Sequence, residues 1–113
     1  MSILQSVKGM LGIPEEHTAF DQQLIIHINS VFSVLDQLGP GGFKISTGNE
    51  TWEDYLASWP NTNLEDIRSY MYLKVRMLFD PPTTGTAADA FQNMIKEYEW
   101  RLSVATDTEV ETE

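Results

Sequence analysis

Two histidines and the acids near them are the side chains of this sequence best suited to holding a metal ion. His17 and His27 stand ten positions apart, with Glu15, Glu16 and Asp21 close by. A metal site requires its ligands to converge from one helical face or one turn, and this spacing does not bring them together. We therefore expect no metal and no cofactor, with His17 in a polar connector and His27 on a helix surface.

The sequence also lacks the motifs of common catalytic sites. It contains no Gly-x-Ser-x-Gly, no Gly-Lys-Ser phosphate loop, no Gly-x-Gly-x-x-Gly and no cysteine. The glycine cluster Gly39–Gly42 has neither the lysine nor the following helix that a phosphate cradle needs. Paired acids such as Glu97 and Glu99 lie in polar stretches without an apolar pocket, which does not favour general acid–base chemistry. We predict that the protein is not an enzyme.

Aromatic residues are the better candidates for function. Trp52, Trp59, Tyr70, Tyr72 and Trp100 are more than a core of this size must hold. Protein interfaces favour tryptophan and tyrosine as anchors, although core packing explains any single one equally well. For Trp100, near the end of a helix, the core and an interface are both open.

The elements that position these residues follow from hydrophobic periodicity. Apolar residues recur three and four positions apart, which predicts helices with a core-facing stripe. The stripe of the second helix is Phe20, Leu24, Ile28, Val31, Leu35 and Leu38, and that of the fourth is Leu64, Ile67, Met71, Val75 and Leu78. The predicted ranges are Ser2–Leu11, Ala19–Leu38, Thr51–Ala57, Asn63–Phe79 and a last helix from Thr86 through Leu102. Capping pairs three residues apart mark their starts at Thr18/Asp21, Thr51/Asp54, Asn63/Asp66 and Thr86/Asp89. Glycine and proline end the first, second and fourth helices.

Two segments fall outside this helical pattern. Residues 43–47 alternate between apolar and polar types, so a short strand in a hairpin and an extended loop are both consistent with them. Residues 105–113 are acidic and contain few bulky apolar residues, which predicts an extended tail. The expected fold is therefore all-α, a small bundle of about four to five helices with an extended glycine-rich loop or short hairpin and an extended acidic C-terminal tail.

Size and charge narrow the function further. The 113 residues are enough for one domain, which we place at residues 1–104 with the tail at residues 105–113. The net charge is −10 and the seven lysines and arginines are scattered, so binding to phosphate backbones is disfavoured. The absence of cysteine fits a reducing compartment, and no stretch approaches the ~18 apolar residues of a membrane span.

A series of segments in fixed order resembles the head-tail connector (adaptor) proteins of long-tailed bacteriophages. The segments are Leu11–Ile13, His27–Phe32, Gln37–Gly39, Thr51-Trp52, Tyr70–Pro82 and Ile95–Leu102. The more specific parts are Leu78-Phe79-Asp80-Pro81-Pro82 and Glu99-Trp100-Arg101-Leu102. None of them is a catalytic signature, so the resemblance lies in their order and spacing.

This resemblance implies a structural virion protein at the head-tail interface, made in the host cytoplasm. It also implies an all-helical protomer that assembles with its copies into a ring beneath the portal protein, with an expected symmetry of twelvefold. The ring extends the DNA channel, the genome passes through without specific binding, and the far side receives a stopper or the next connector. High negative charge suits such a channel wall, because it repels DNA phosphates.

The resemblance and the residue types together assign three sets of candidate site residues. The portal-binding set is Trp100, Arg101, Leu102, Val104 and Val110. The subunit-interface set is Arg68, Tyr72, Arg76 and Trp52. The loop facing the channel or the stopper is Gly41, Gly42, Phe43, Lys44 and Ile45.

Two alternatives remain open from the sequence. The first is an acidic DNA mimic or inhibitor that binds a nucleic-acid-processing enzyme, which the net charge of −10 favours. Because acids and bases are interspersed along the predicted helices, only the tail resembles a dense acidic surface. The second is a small helical cytoplasmic enzyme, which would need a pocket holding a perturbed carboxylate or histidine.

Overall fold

Five α-helices make up most of the protein in its computed structural model. The structure describes residues 2–38, 43–58 and 63–111, apart from the side chains of Asp36, Leu38, Ser58 and residues 104–111. Within these ranges the helices are α1 (Ile3–Leu11), α2 (Asp21–Leu38), α3 (Trp52–Ser58), α4 (Leu64–Phe79) and α5 (Gly85–Glu111). The all-α bundle predicted from the sequence is confirmed. Trp59, Gly41 and Gly42 lie outside the described residues.

Helices α2 and α4 form the middle of the bundle. They pack against each other, and each also contacts α1 and α5. The predicted apolar stripes supply the core, since the buried residues include Leu24, Ile28 and Leu35 of α2 and Ile67, Met71 and Val75 of α4. Because α4 is surrounded on several sides, it also buries residues beyond its predicted stripe, namely Tyr70 and Leu73.

Two of the predicted caps have the expected geometry. At the start of α3, Thr51 N–H donates to Asp54 Oδ2 at 2.9 Å and Asp54 N–H donates to Thr51 Oγ1 at 3.1 Å, a reciprocal capping box. Asn63 caps α4 by accepting from the Asp66 N–H. At the end of α1, Gly12 takes the left-handed conformation with φ 78°. This lets the N–H groups of residues 12 and 13 bond back to the carbonyls of residues 9 and 8.

The other two predicted caps are displaced. Helix α2 begins at Asp21, two residues later than predicted, and the Asp21 carboxylate faces Lys8. Helix α5 begins at Gly85, and the side chain that accepts from its first turn belongs to Thr84, which bonds the Ala87 N–H at 3.2 Å. Asp21 has the spacing of a cap but pairs with Lys8 instead. At the start of α5, the earlier residue Thr84 takes the capping position that the spacing predicted for Thr86.

The extended acidic tail is a correction, because α5 continues as a helix to Glu111. No glycine or proline occurs between Gly85 and Glu111, and extending an existing helix avoids the cost of nucleating a new one. Acidity alone therefore does not end the helix where the sequence predicted. The hairpin alternative for residues 43–47 is also not taken, since they form an irregular loop.

Lys8 is a buried charge at the junction of α1 and α2. Its side chain is 1% exposed. The ammonium donates to the carbonyl oxygens of Glu15 at 3.0 Å and His17 at 2.7 Å, and its Nζ lies 2.9 Å from Asp21 Oδ1. The ammonium thus has two hydrogen-bond acceptors and a carboxylate as ion-pair partner, and such pairing is the condition under which a lysine tolerates burial. This group fixes the connector between the two helices.

Replacing Lys8 with methionine should destabilise the protein by about 2 to 4 kcal/mol, because two carbonyls and the Asp21 carboxylate lose their partner. Asp21 is 24% exposed and regains some hydration, which keeps the loss below the upper end for a fully buried pair. Urea denaturation measures the change. The matched control is Lys96→Met, which removes an exposed lysine of α5 and should shift stability little. Equal stabilities of the two variants would contradict this role of Lys8.

Candidate functional site

The outer face of α5 carries a large exposed aromatic side chain. The helix packs inward through Ile95 and Leu102, both 5% exposed, while Trp100 is 66% exposed. At about 100° per residue, Trp100 lies about 160° around the helix from Leu102. It therefore points directly away from the core. The sequence left its location open between core and interface, and the structure places the side chain on the surface.

Arg101 flanks this tryptophan. Its guanidinium lies 3.1 Å from Glu97 Oε1, one turn earlier, and 5.4 Å from the centre of the Tyr98 ring. The pair with Glu97 joins exposed positions i and i+4 of α5, and a pair of this kind contributes only ~0.3 to 0.5 kcal/mol. Arg101 is therefore held near Trp100 but remains available at the surface.

The rest of the portal-binding set divides in two. Leu102 is buried, so it anchors α5 to the bundle and offers little surface. Val104 and Val110 lie on α5, but their side chains are outside the described part of the protein. Helix α5 also ends with acids and without a basic residue in its last turn. Acids at a helix C-terminus add to the negative end of the helix dipole and create a strongly negative helix end.

Helix α5 is fixed to α4 by a partly buried hydrogen bond. Tyr70 Oη donates to Glu99 Oε2 at 2.8 Å, and Lys74 Nζ lies 3.9 Å from the same oxygen. Burial raises the pKa of the Tyr70 phenol, and the hydrogen bond to the Glu99 carboxylate and its negative charge act in the same direction. Tyr70 is therefore a neutral donor that sets the position of α5, and with it the direction of Trp100.

The proposed subunit-interface residues do not share one surface role. Tyr72 Oη accepts from Arg76 Nη1 at 2.9 Å, and Arg76 also bonds the Asp80 carbonyl and lies 5.5 Å from the centre of the Phe91 ring. These contacts are internal and close the C-terminal end of α4. Trp52 is 5% exposed and packs in the core beside Phe32. Arg68 is exposed.

The loop that follows the glycine cluster is attached to the bundle. Ile45 is 2% exposed, and its N–H and carbonyl both bond the Asn29 side chain at 2.8 Å. Phe43 packs in an aromatic cluster with Phe32 and Tyr55. Only Lys44 of the described loop candidates is exposed, with Nζ donating to the Asn29 carbonyl and to Ser33 Oγ.

A single carboxylate organises the turn after this loop. The Glu50 carboxylate accepts hydrogen bonds from the backbone N–H groups of Ser46, Thr47 and Gly48. It also accepts from the side-chain hydroxyls of Ser46 and Thr47. Desolvation opposes ionisation of this carboxyl, but the hydrogen bonds outweigh it and lower the Glu50 pKa to about 2. Gly48 has φ 85°, and a Cβ there would lie 2.9 Å from Leu4, so no other residue fits this turn well.

A series of aromatic ring contacts through Phe20 and Phe79 connects the two histidines. His17 lies 5.4 Å from Phe20, Phe20 lies 5.2 Å from Phe79, and His27 lies 6.4 Å from Phe79, all between ring centres. No group of histidines and acids among the described residues is placed to hold a metal ion. Phe20 and Leu78 are 40% and 51% exposed, so both leave the core stripes in which the sequence placed them.

Sequence reasoning missed two further features. The sequence does not predict the burial of Lys8, and the one signal for it is an apolar residue one helical turn away on either side, Leu4 and Leu11. Ile26 was not singled out, although it is 63% exposed on α2. Its position outside the predicted apolar stripe of α2 is the signal that could have identified it.

The described residues thus define a small all-α protein whose prominent surface features suit contact with other proteins. A family model described as phage connector protein matches residues 3–109, and the chain belongs to that family. The resemblance noted from the sequence is therefore confirmed. Comparison with curated proteins and with solved structures gives no match. None of the described helices combines the length and apolarity that a membrane crossing requires.

The Glu50 turn should open in acid. Because the folded-state pKa is lowered from 4.5 to about 2, its stabilisation is complete above the unfolded pKa and is lost as the pH falls towards 2. Amide exchange at Ser46 and Gly48, expressed as protection factors from about pH 6 to about pH 2, measures this. The wild type should lose protection in acid, whereas Glu50→Gln should be weakly protected throughout.

Glu53→Gln is the matched control, because it neutralises an exposed acid at the start of α3. It should retain the wild-type profile. A turn whose protection is the same in Glu50→Gln and the wild type at neutral pH would contradict the role given to this carboxylate.

Proposed function

We propose that this protein is the head-tail connector (adaptor) of a long-tailed phage. In this role it forms a ring beneath the portal protein, extends the DNA channel and joins head to tail without catalysing a reaction. Family membership supports the connector role, and the single structural observation that supports docking is Trp100, 66% exposed on the outer face of α5. Tryptophan is enriched among the residues that supply most of the binding energy of protein interfaces.

The portal-facing element is α5 from Trp100 onwards. Trp100 and Arg101 supply an aromatic anchor and a cation on the exposed face, and Leu102 holds the helix on the bundle. Val104 and Val110 extend the same element. The acidic end of α5 attracts a basic partner surface, because opposite charge relieves the repulsion among its acids and at the helix terminus.

Within this role, the loop and the subunit interface are assigned from the candidate side chains that remain exposed. The loop from Gly41 to Ile45 faces the channel or the stopper, with Lys44 as its exposed side chain among those described. Arg68 remains the surface cation of the proposed subunit-interface set, since Tyr72 and Arg76 serve internal contacts. The net charge of −10 keeps phosphates from adhering to the channel wall, so the genome passes without specific binding.

Electron microscopy of the chain mixed with the portal protein of the same phage tests the proposal. The expected result is a ring of connector density on the portal, with α5 at the contact. A chain that stays separate from portals and is absent from purified virions would refute it. Binding to a nucleic-acid-processing enzyme instead would favour the DNA-mimic alternative.

Trp100→Ala should separate docking from folding. Because Trp100 is 66% exposed, its loss should change the free energy of unfolding by less than about 1 kcal/mol. The loss of an interface anchor should weaken portal binding about thirtyfold, which corresponds to ~2 kcal/mol. Thermal unfolding and surface plasmon resonance on immobilised portal measure the two effects.

Gln92→Ala provides the control, since Gln92 is an exposed residue of the same helix. It should bind the portal as the wild type does. If Trp100→Ala also binds normally, Trp100 is not the anchor; if it unfolds the protein, the side chain has a packing role that its exposure does not indicate.

Removal of residues 105–113 should leave the fold intact and impair attachment to the portal. The described core ends at Leu102, so the truncated chain keeps every residue that the structure describes as buried. It loses four of the 17 acids and the last turns of α5. Circular dichroism and assembly of virions in a complementation assay measure the outcome, and normal assembly by the truncated chain would refute the role of this segment.

A further inference from the structure

Aromatic rings form a partly exposed group where α2 begins and α4 ends. The Phe20 ring contacts His17 of the connector and Phe79 at the end of α4, and Phe79 also contacts His27 of α2. Leu78 stands beside Phe79 in the sequence and is 51% exposed, and Phe20 is 40% exposed. We call these five residues, His17, Phe20, His27, Leu78 and Phe79, the aromatic patch.

The aromatic patch lies at the end of the bundle opposite to the acidic end of α5. Phe91 of α5 lies beside Tyr72 of α4. Glu99, further along α5, bonds Tyr70, which precedes Tyr72, so the two helices run antiparallel. Helix α5 therefore begins near the end of α4, where Phe79 lies, and its 27 residues carry the chain about 40 Å away from the patch.

Acids border the aromatic patch on both sides. Glu15 and Glu16 come directly before His17 in the connector, and Asp80 directly follows Phe79. All three acids are exposed. The surface around the rings is therefore negative, and an apolar surface with a rim of one charge favours a partner of the opposite charge.

The other charged groups near the patch do not neutralise this rim. Lys8 is 1% exposed and lies 2.9 Å from Asp21. Arg76 donates to the Asp80 carbonyl, but among the described residues neither cation forms an ion pair with the three exposed acids. Asp36 lies towards the other end of α2, about 22 Å from Asp21 along the helix.

The surface around the patch is fixed within the protein itself. The Lys8 ammonium bonds the carbonyls of Glu15 and His17, which holds the connector in place. The chain after α4 continues with Pro81 and Pro82, whose rings restrict backbone rotation. A surface that is already ordered loses little conformational entropy when a partner binds.

We infer that the aromatic patch binds a basic segment of a different protein, one that carries an apolar side chain between lysines or arginines. The apolar side chain covers Phe20 and Leu78, and the cations pair with the three exposed acids. The faces of the aromatic rings add to the attraction for cations. This charge complementarity favours a basic protein over a second copy of this chain, whose net charge is −10.

The inference rests on the proposed connector role for the direction of the partner only. When α5 from Trp100 onwards faces the portal, the aromatic patch at the opposite end of the bundle faces away from the portal. On that side a connector receives the stopper or the next connector protein. The stopper contact then falls on the aromatic patch, and the loop from Gly41 to Ile45 faces the channel.

Charge reversal at Glu16 tests the electrostatic part of the contact. Surface plasmon resonance measures binding of the chain to the immobilised stopper protein and, separately, to the immobilised portal protein of the same phage. Glu16→Lys should weaken stopper binding at least tenfold and leave portal binding unchanged. Glu53→Lys, the same change at an exposed position on α3, is the control and should bind both as the wild type does. Equal stopper binding by Glu16→Lys and the wild type would overturn the inference.

Leu78→Gln tests the apolar part. The variant should fold, since the side chain is 51% exposed, and it should lose at least tenfold in stopper affinity at low and high salt alike. The defect of Glu16→Lys should shrink as salt screens the charges. Met94→Gln, a change at an exposed apolar residue of α5, is the control. Weaker portal binding by Leu78→Gln, or fewer copies on each portal by native mass spectrometry, would show that the portal or a second copy covers the patch and would overturn the choice of partner.

A peptide probe decides the surface independently of the connector role. If the wild type binds neither portal nor stopper, the connector role fails, and an amphipathic helical peptide of leucine and lysine is titrated into the isotope-labelled chain. The amide signals of residues 15–20 and 78–80 should shift in NMR spectra, and Leu78→Gln should reduce these shifts severalfold. A matched peptide of leucine and glutamate should leave them unchanged. Equal shifts at these residues in Leu78→Gln and the wild type would overturn the inference.

Discussion

A buried ammonium group is the contact on which the order of the bundle depends. Lys8 joins the end of α1 to the carbonyl oxygens of Glu15 and His17 and to Asp21 at the first position of α2. The connector between the two helices has no other role in the core, because its residues from 14 to 20 are all exposed. Lys8 thus adds a polar tie to the apolar packing of α1 against α2 and α4, and together they set the angle at which α2 leaves α1. The position of α2 then determines where α4 and α5 pack.

The interior and the surface of this protein follow different rules. Inside, aromatic and aliphatic residues fill the bundle, and polar groups such as the Tyr70 phenol bond across helices. Outside, Trp100, Ile26 and Leu78 expose large apolar side chains that the core does not need. Scattered apolar residues are ordinary on protein surfaces, and among them Trp100 has the residue type and the outward position that interface anchors favour.

The sequence predicted the helices well because their periodicity is strong and their ends carry glycine, proline and capping pairs. It failed where two local signals compete. Asp21 has the spacing of a cap but pairs with Lys8, and the last helix continues through acids that suggested a tail. The exposure of Trp100 could not be predicted, because periodicity places it opposite Leu102 but does not show whether another element covers that side of α5. Trp52 and Tyr70, in contrast, lie in the core because neighbouring helices cover them.

Helix α5 continues without interruption from the core to Glu111. From Leu102 to Glu111 the helix advances about 13.5 Å, and every residue added or removed in this stretch rotates the remaining turns by about 100°. Height and rotational phase of the terminal surface are therefore coupled. Relatives with insertions here would keep the phase only if the insertions comprise whole turns, for example about seven residues for two turns. A change in the length of the last part of α5 therefore also changes the direction in which its terminal side chains point.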